Sequence, residues 1–186
     1  MMSSKRELVL DAAIELLGSR GIRALTHRAV DEVAGMPAGS ASNYFRTRAA
    51  LLTGIAERLE ARDYADWEAL NRQPAPGSID ALVDGMAAFV VHAVRTDRTR
   101  TLARYALFQE AQTAPALRET VRGGHRRLTE WAAGLLAGVG GDRATTQILV
   151  GQLEGIILHQ LVDPTPDFDP RPALDRLVRA LIASNN

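Results

Sequence analysis

The chain has 186 residues, 46% hydrophobic and 24% charged, with 22 Lys/Arg balancing 22 Asp/Glu, the make-up of a folded protein of one or two domains with a real core. The absence of cysteine excludes disulfides, thiolate metal sites and a cysteine nucleophile. The start, MMSSKRELVL, carries charges through its apolar pattern, unlike a signal peptide, and no apolar run approaches the roughly 18 residues of a membrane span; a cytoplasmic protein with no membrane partner is expected.

Nearly every segment repeats its apolar residues with a 3.6 period, and none alternates convincingly as a strand does, so the spacing predicts an all-α fold. A first helix runs from about Ser4 to Ser19, with Leu8, Val9, Ala12, Ala13, Leu16 and Leu17 as its apolar face and Gly21 closing it. Thr26 suits the N-cap of a helix over His27–Ala34, in which Ala29, Val30 and Val33 face inward and which Gly35 ends. Pro37 suits the start of a third helix. Thr47 caps a long fourth, from Arg48 to about Leu70. NRQPAPGS (Asn71–Ser78) is the best candidate boundary. Further helices follow over Ile79–Arg95, Thr99–Ala111, Pro115–Ala137, Asp142–Val162 and Pro172–Ala183.

The stretch Leu25–Leu52 has the outline of a helix-turn-helix, which lays its second helix in the major groove of DNA. Gly35-Met36-Pro37 supplies the tight turn. A reading helix must approach base edges closely, and Ala38, Gly39, Ser40, Ala41 and Ser42 are all small. Ser40 and Ser42 can hydrogen-bond phosphates or bases, Asn43 can pair bidentately with adenine, and Tyr44 can reach a phosphate. Phe45 packs back into the head, and Arg46 and Arg48 meet the DNA backbone. Residues 1–48 hold seven Lys/Arg against five acids and the remainder fifteen against seventeen; the modest bias gains weight because Arg28, Arg46 and Arg48 bracket the reading helix.

These residues resemble the TetR family of one-component bacterial transcriptional regulators. The family pattern is roughly L-T-x-R, an alanine-rich helix, G-V-S-x-G-[ST]-[LI]-Y-x-[HY]-F, then x-[ST]-K-x-x-L. This chain gives Leu25-Thr26-His27-Arg28, Gly35-Met36-Pro37-Ala38-Gly39-Ser40-Ala41-Ser42-Asn43-Tyr44-Phe45 and Arg46-Thr47-Arg48-Ala49-Ala50-Leu51, without a gap. Ser42 stands where the family has a phosphate-binding Tyr, Ala41 where it has Leu or Ile, and Arg48 where it has Lys. The resemblance implies a three-helix DNA-binding head, residues 1–48, on a helical effector-binding and dimerisation body, residues 49–186. It makes Thr26, His27, Arg28, Ala38, Gly39, Ser40, Ser42, Asn43, Tyr44, Arg46 and Arg48 the expected DNA contacts. It also implies a repressor that binds a near-palindromic operator as a homodimer and is released by a small molecule.

For the dimer, Gln147, Gly151, Gly155 and Leu158 would let two helices approach closely, and Leu174, Leu177, Val178 and Leu181 form an apolar stripe with Ile182. The alternative is that both stripes bury within one monomer. Candidates for an effector pocket are Met86, Phe89, His92, Tyr105, Phe108, Trp131 and Gln152, a mix that suits a largely apolar ligand; each also suits a core position. No cofactor or metal is expected, because His27, His92, His125 and His159 have no metal-ligand spacing. No H-E-x-x-H, G-x-S-x-G or P-loop marks an enzyme. An enzyme is the main competing class, and a DNA-binding helical protein that senses a partner protein is a third reading.

Overall fold

The computed structural model describes residues 4–71 (side chains to 66) and 76–184. Among them lie nine helices: α1 Lys5–Arg20, α2 His27–Ala34, α3 Ser40–Tyr44, α4 Arg48–Asn71, α5 Ile79–Val94, α6 Arg98–Ala111, α7 Pro115–Ala137, α8 Arg143–Val162 and α9 Arg171–Ala183. The all-α expectation holds. Residues 72–75 of the expected boundary lie outside the described residues. The chain divides into two compact units, Met1–Glu68 with Thr99–Gly124 and Ala69–Arg98 with His125–Asn186.

The first unit is built around α1. Its start is a capping box: Glu7 N–H donates to Ser4 Oγ at 3.2 Å and Ser4 N–H to Glu7 Oε2 at 2.7 Å. Gly21 ends it at φ 78, donating to the Leu17 carbonyl. Val9, Leu10, Ala12, Ala13, Ile14, Leu16 and Leu17 are all buried, so α1 is covered around most of its circumference. Val30, Ala41, Phe45, Leu51, Leu52, Ile55 and Leu59 join it, as do Ala103 and Leu107 of α6. One expected face residue departs. Leu8 is 46% exposed, because it falls on the solvent stripe of α1 with Glu15 and Ser19.

Three features bind this unit tightly. A Cβ at Gly18 would stand 2.0 Å from the Thr99 carbonyl oxygen, so α1 meets the start of α6 backbone to backbone. Arg58 of α4 forks onto Asp11, with Nε and Nη2 both at 2.9 Å, and its Nη1 reaches Glu7 at 2.9 Å. Arg104 of α6 bonds both oxygens of Asp63 of α4 at 2.7 and 2.8 Å. Arg104 is thereby in an ion pair. Burial lifts the Asp63 carboxyl above its ordinary value even so, since desolvation outweighs the pull of Arg104.

In the second unit, α5 packs on α8 and α9. Its core holds Leu82, Val83, Met86, Leu136, Leu149, Leu174, Val178 and Ile182. Asp142 caps α8, its Oδ1 accepting from Thr145 N–H at 2.8 Å. Arg171 pairs with Asp84 at 2.6 Å, and Arg179 with Asp80, fastening α9 to α5. Leu174 and Val178 have no exposed surface. They serve this chain's own core and have none to offer a second copy, which corrects that part of the expected dimer stripe. Leu177 and Leu181 are half-buried against the same core.

Candidate nucleic-acid interface

Thr26 starts α2, accepting from Ala29 N–H at 3.2 Å, and Gly35 ends it in the left-handed region at φ 63. Along α2 the inward positions are Val30 and Asp31, with His27, Ala29 and Ala34 half-buried, whereas Val33 is 39% exposed. The expected inward set of Ala29, Val30 and Val33 therefore loses Val33 and gains Asp31. The cause is α3. The helix expected to read DNA has five residues, and its N-cap, Gly39 at φ 91, has no side chain with which to cap it. Asp31 does so from α2: Oδ2 accepts from Gly39 N–H at 2.8 Å and Oδ1 from Ala41 N–H at 2.7 Å.

The far end of α3 is held as well. His27 Nε2 lies 2.6 Å from the Phe45 carbonyl oxygen; that oxygen only accepts, so the ring nitrogen donates. Phe45 is buried under α4, where a Cβ on Gly54 would lie 2.6 Å from its ring. The Arg6 guanidinium stacks 5.1 Å from the ring centroid.

What remains outside is a small-residue surface. Ala38, Gly39, Ser42, Asn43 and Tyr44 are exposed and Ser40 half-buried, with Thr26, Arg28, Arg46 and Arg48 exposed beside them. Several carry internal bonds. Ser40 Oγ donates to the Pro37 carbonyl at 2.6 Å and Ser42 Oγ to the Gly39 carbonyl at 2.8 Å, leaving both oxygens as acceptors. Arg28 pairs with Glu32 at 3.0 Å on a well-solvated face. Arg48 donates to the Leu25 and Ile22 carbonyls at 2.6 and 2.9 Å, tying the start of α4 to the α1–α2 connection.

The family profile described as bacterial regulatory proteins, tetR family, matches residues 9–55, and that of the tetracyclin repressor-like C-terminal domain matches residues 77–184. The chain belongs to the TetR family. It is a DNA-binding transcriptional regulator and not an enzyme. The TetR-family member SCO1917 from Streptomyces coelicolor A3 is 30% identical, with 97% of this chain and 99% of that one covered at a TM-score of 0.76. The multidrug binding protein EbrR, solved with ethidium, is 28% identical, with 96% and 99% covered at 0.74. EbrR has also been solved with proflavin and with imidazole. No curated protein matches the chain significantly.

The other candidate residues of this TetR-family chain are distributed as follows. In the first unit, Tyr105 and Phe108 meet edge to face at 6.1 Å. In the second, Met86 is buried in the core, Trp131 is half-buried, and Phe89, His92 and Gln152 are exposed. On α8, Gln147, Gly151 and Leu158 are exposed and Gly155 half-buried, and a Cβ at either glycine would meet nothing within 4 Å. Among the described residues no helix is long and apolar enough to cross a membrane. Asp31 and the inward role of His27 are what sequence reasoning missed. The signal was present: His27, Val30, Asp31 and Ala34 follow the i, i+3, i+4, i+7 template of a buried helix face.

Proposed function

We propose that the protein is a cytoplasmic repressor that binds a near-palindromic operator as a two-fold homodimer and leaves it on binding a largely apolar small molecule. The observation that carries the DNA side is the outer surface of α3: Ser42, Asn43 and Tyr44 stand exposed on a helix whose front is small enough to enter a groove. Asn43 and Arg28 read bases; Thr26, Tyr44, Arg46 and Arg48 meet phosphates, and Ser40, whose proton is held by the Pro37 carbonyl, offers its oxygen to a base-edge donor. One short reading helix covers too few bases for genomic specificity, so two copies are needed. Residues 1–48 act as the head and 49–186 as the body.

The open α8 face through Gln147, Gly151, Gly155 and Leu158, extended by exposed Ile148 and Val162, favours pairing with a second copy. For the effector, the ethidium and proflavin bound by EbrR point to flat, mostly apolar cations. The ligand must bind the DNA-free state more tightly than the DNA-bound one. Typical couplings of about 1–3 kcal/mol would weaken operator binding roughly 5–150-fold.

Gel shift and footprinting on genomic DNA flanking the protein's own gene test the first part. Two protected half-sites on one face of the duplex are expected, and a single asymmetric half-site at saturation would overturn the dimer. Repeating the titration with ethidium tests the second part. Unchanged affinity at saturating ethidium refutes release by that class of ligand, and tighter binding makes the ligand a co-repressor.

A further inference from the structure

His27 and Asp31 stand one helical turn apart on α2, and between them they grip both ends of α3. Asp31 is 3% exposed and spends one carboxylate oxygen on each of two backbone donors, Gly39 N–H at 2.8 Å and Ala41 N–H at 2.7 Å. His27, half-buried, gives its Nε2 to the Phe45 carbonyl at 2.6 Å, where α3 ends. A five-residue helix cannot stand by itself, since isolated helices shorter than about 12–15 residues are marginal in water. Nor can α3 cap itself, because its N-cap is a glycine at φ 91, where other side chains are strained. Its apolar anchors are Ala41 and Phe45 alone, both buried.

We propose that His27 and Asp31 are positioning residues for DNA recognition: neither touches DNA, and together they set the angle at which α3 offers Ser42, Asn43 and Tyr44. The inference rests on α3 being the reading helix. It gives His27 a different task from the DNA contact that its place in the motif suggests. It also has a consequence for the DNA side. The Gly39 and Ala41 amides at the front of α3 are engaged by a carboxylate, so phosphates are met by side chains there and not by those amides.

The test uses the full chain and a duplex enriched by the wild-type protein from a random library. His27→Ala and Asp31→Asn are each expected to weaken binding to that duplex roughly tenfold or more, the scale of a lost charge-assisted or buried hydrogen bond. Binding to random duplex should change far less, and the slope of affinity against salt should not move, because no phosphate contact is lost. His27→Gln places an amide N–H near the position of Nε2 and should restore binding. If His27→Gln is as weak as His27→Ala and the salt slope falls, the imidazole contacts DNA and the proposal is overturned for His27. Wild-type affinity in His27→Ala overturns it equally.

Hydrogen exchange on the unmodified protein tests Asp31 even if its variants fail to fold. The Gly39 and Ala41 amides should be protected nearly as well as the centre of α1, and rapid exchange at both would refute the cap. Exchange is independent of DNA, so it also separates this proposal from the reading of α3: a wild-type chain that enriches no duplex refutes the reading helix, while protected amides still uphold the clamp.

Discussion

Gly18→Ala is the sharpest probe of how the first unit is assembled. The added Cβ would sit 2.0 Å from the Thr99 carbonyl oxygen and 2.7 Å from both its carbonyl carbon and its Cγ2. Comfortable carbon contacts lie near 3.5–4.0 Å, so α1 and the start of α6 must part by more than about 1 Å. No flexible side chain is there to absorb the move. Overpacking of a tight site costs about 1–3 kcal/mol, and a backbone obstacle places this case at or above the upper end. Alanine returns about 1 kcal/mol through helix propensity. The net loss is about 2 kcal/mol, or roughly 4–8 °C in Tm for a chain of this size. Urea and thermal unfolding followed by circular dichroism measure it. A Gly18→Ala protein as stable as wild type, or more stable, would refute the backbone contact between α1 and α6.

Further outcomes follow from the same contacts. Arg28→Ala and Asn43→Ala should alter which bases are preferred, at about 1–3 kcal/mol per lost bidentate pair, whereas Arg46→Ala should weaken every sequence and lower the salt slope by about 1; selected and random duplexes titrated at several salt concentrations distinguish them. Arg48→Ala should destabilise the protein by about 1 kcal/mol, the low end for charged hydrogen bonds because Arg48 is exposed, read by urea unfolding. Gly151→Ala should gain about 1 kcal/mol of helix propensity in a free α8 yet weaken self-association across the proposed close-packed face, as ultracentrifugation would report. Acid should separate two carboxylates. The Ser4 backbone N–H, then its hydroxyl, hold Glu7 below its ordinary 4.5, so the stability it adds is present above 4.5 and lost as pH falls through the lowered value. Burial holds Asp63 above its ordinary 3.8, so the fold takes up that proton before the unfolded chain does, and its contribution shrinks as pH rises from 3.8 through the raised value. The Tm advantage of wild type over Glu7→Gln should therefore grow with pH, and that over Asp63→Asn should decline.

The helices were readable because their ends carry chemistry. Ser4, Thr26, Thr47, Ser78 and Asp142 each stand before a helix, and each accepts from a backbone N–H three residues on. The helix α3 was located by the glycine turn before it and by its small residues, signals local to a dozen positions. Partner choice was less legible. That Arg48 also ties down the Leu25 and Ile22 carbonyls was not legible, because these acceptors lie 23 and 26 residues away. Asp31 drew no role from the sequence because the amides it caps lie outside its own helix. Leu174 and Val178 looked available because an apolar stripe has the same spacing whether its own chain or a second copy covers it.

The division of labour within α3 makes its outer surface replaceable. Ala41 and Phe45 anchor it, and His27 and Asp31 hold its ends, so Ser42, Asn43 and Tyr44 carry little of the fold's stability. Substitution at those three positions is expected to redirect the protein to new DNA at little cost in folding, whereas losing one of the four supports is expected to weaken binding to every target. A library randomised only at the outer positions would therefore stay folded throughout, and selection in it would act on recognition alone.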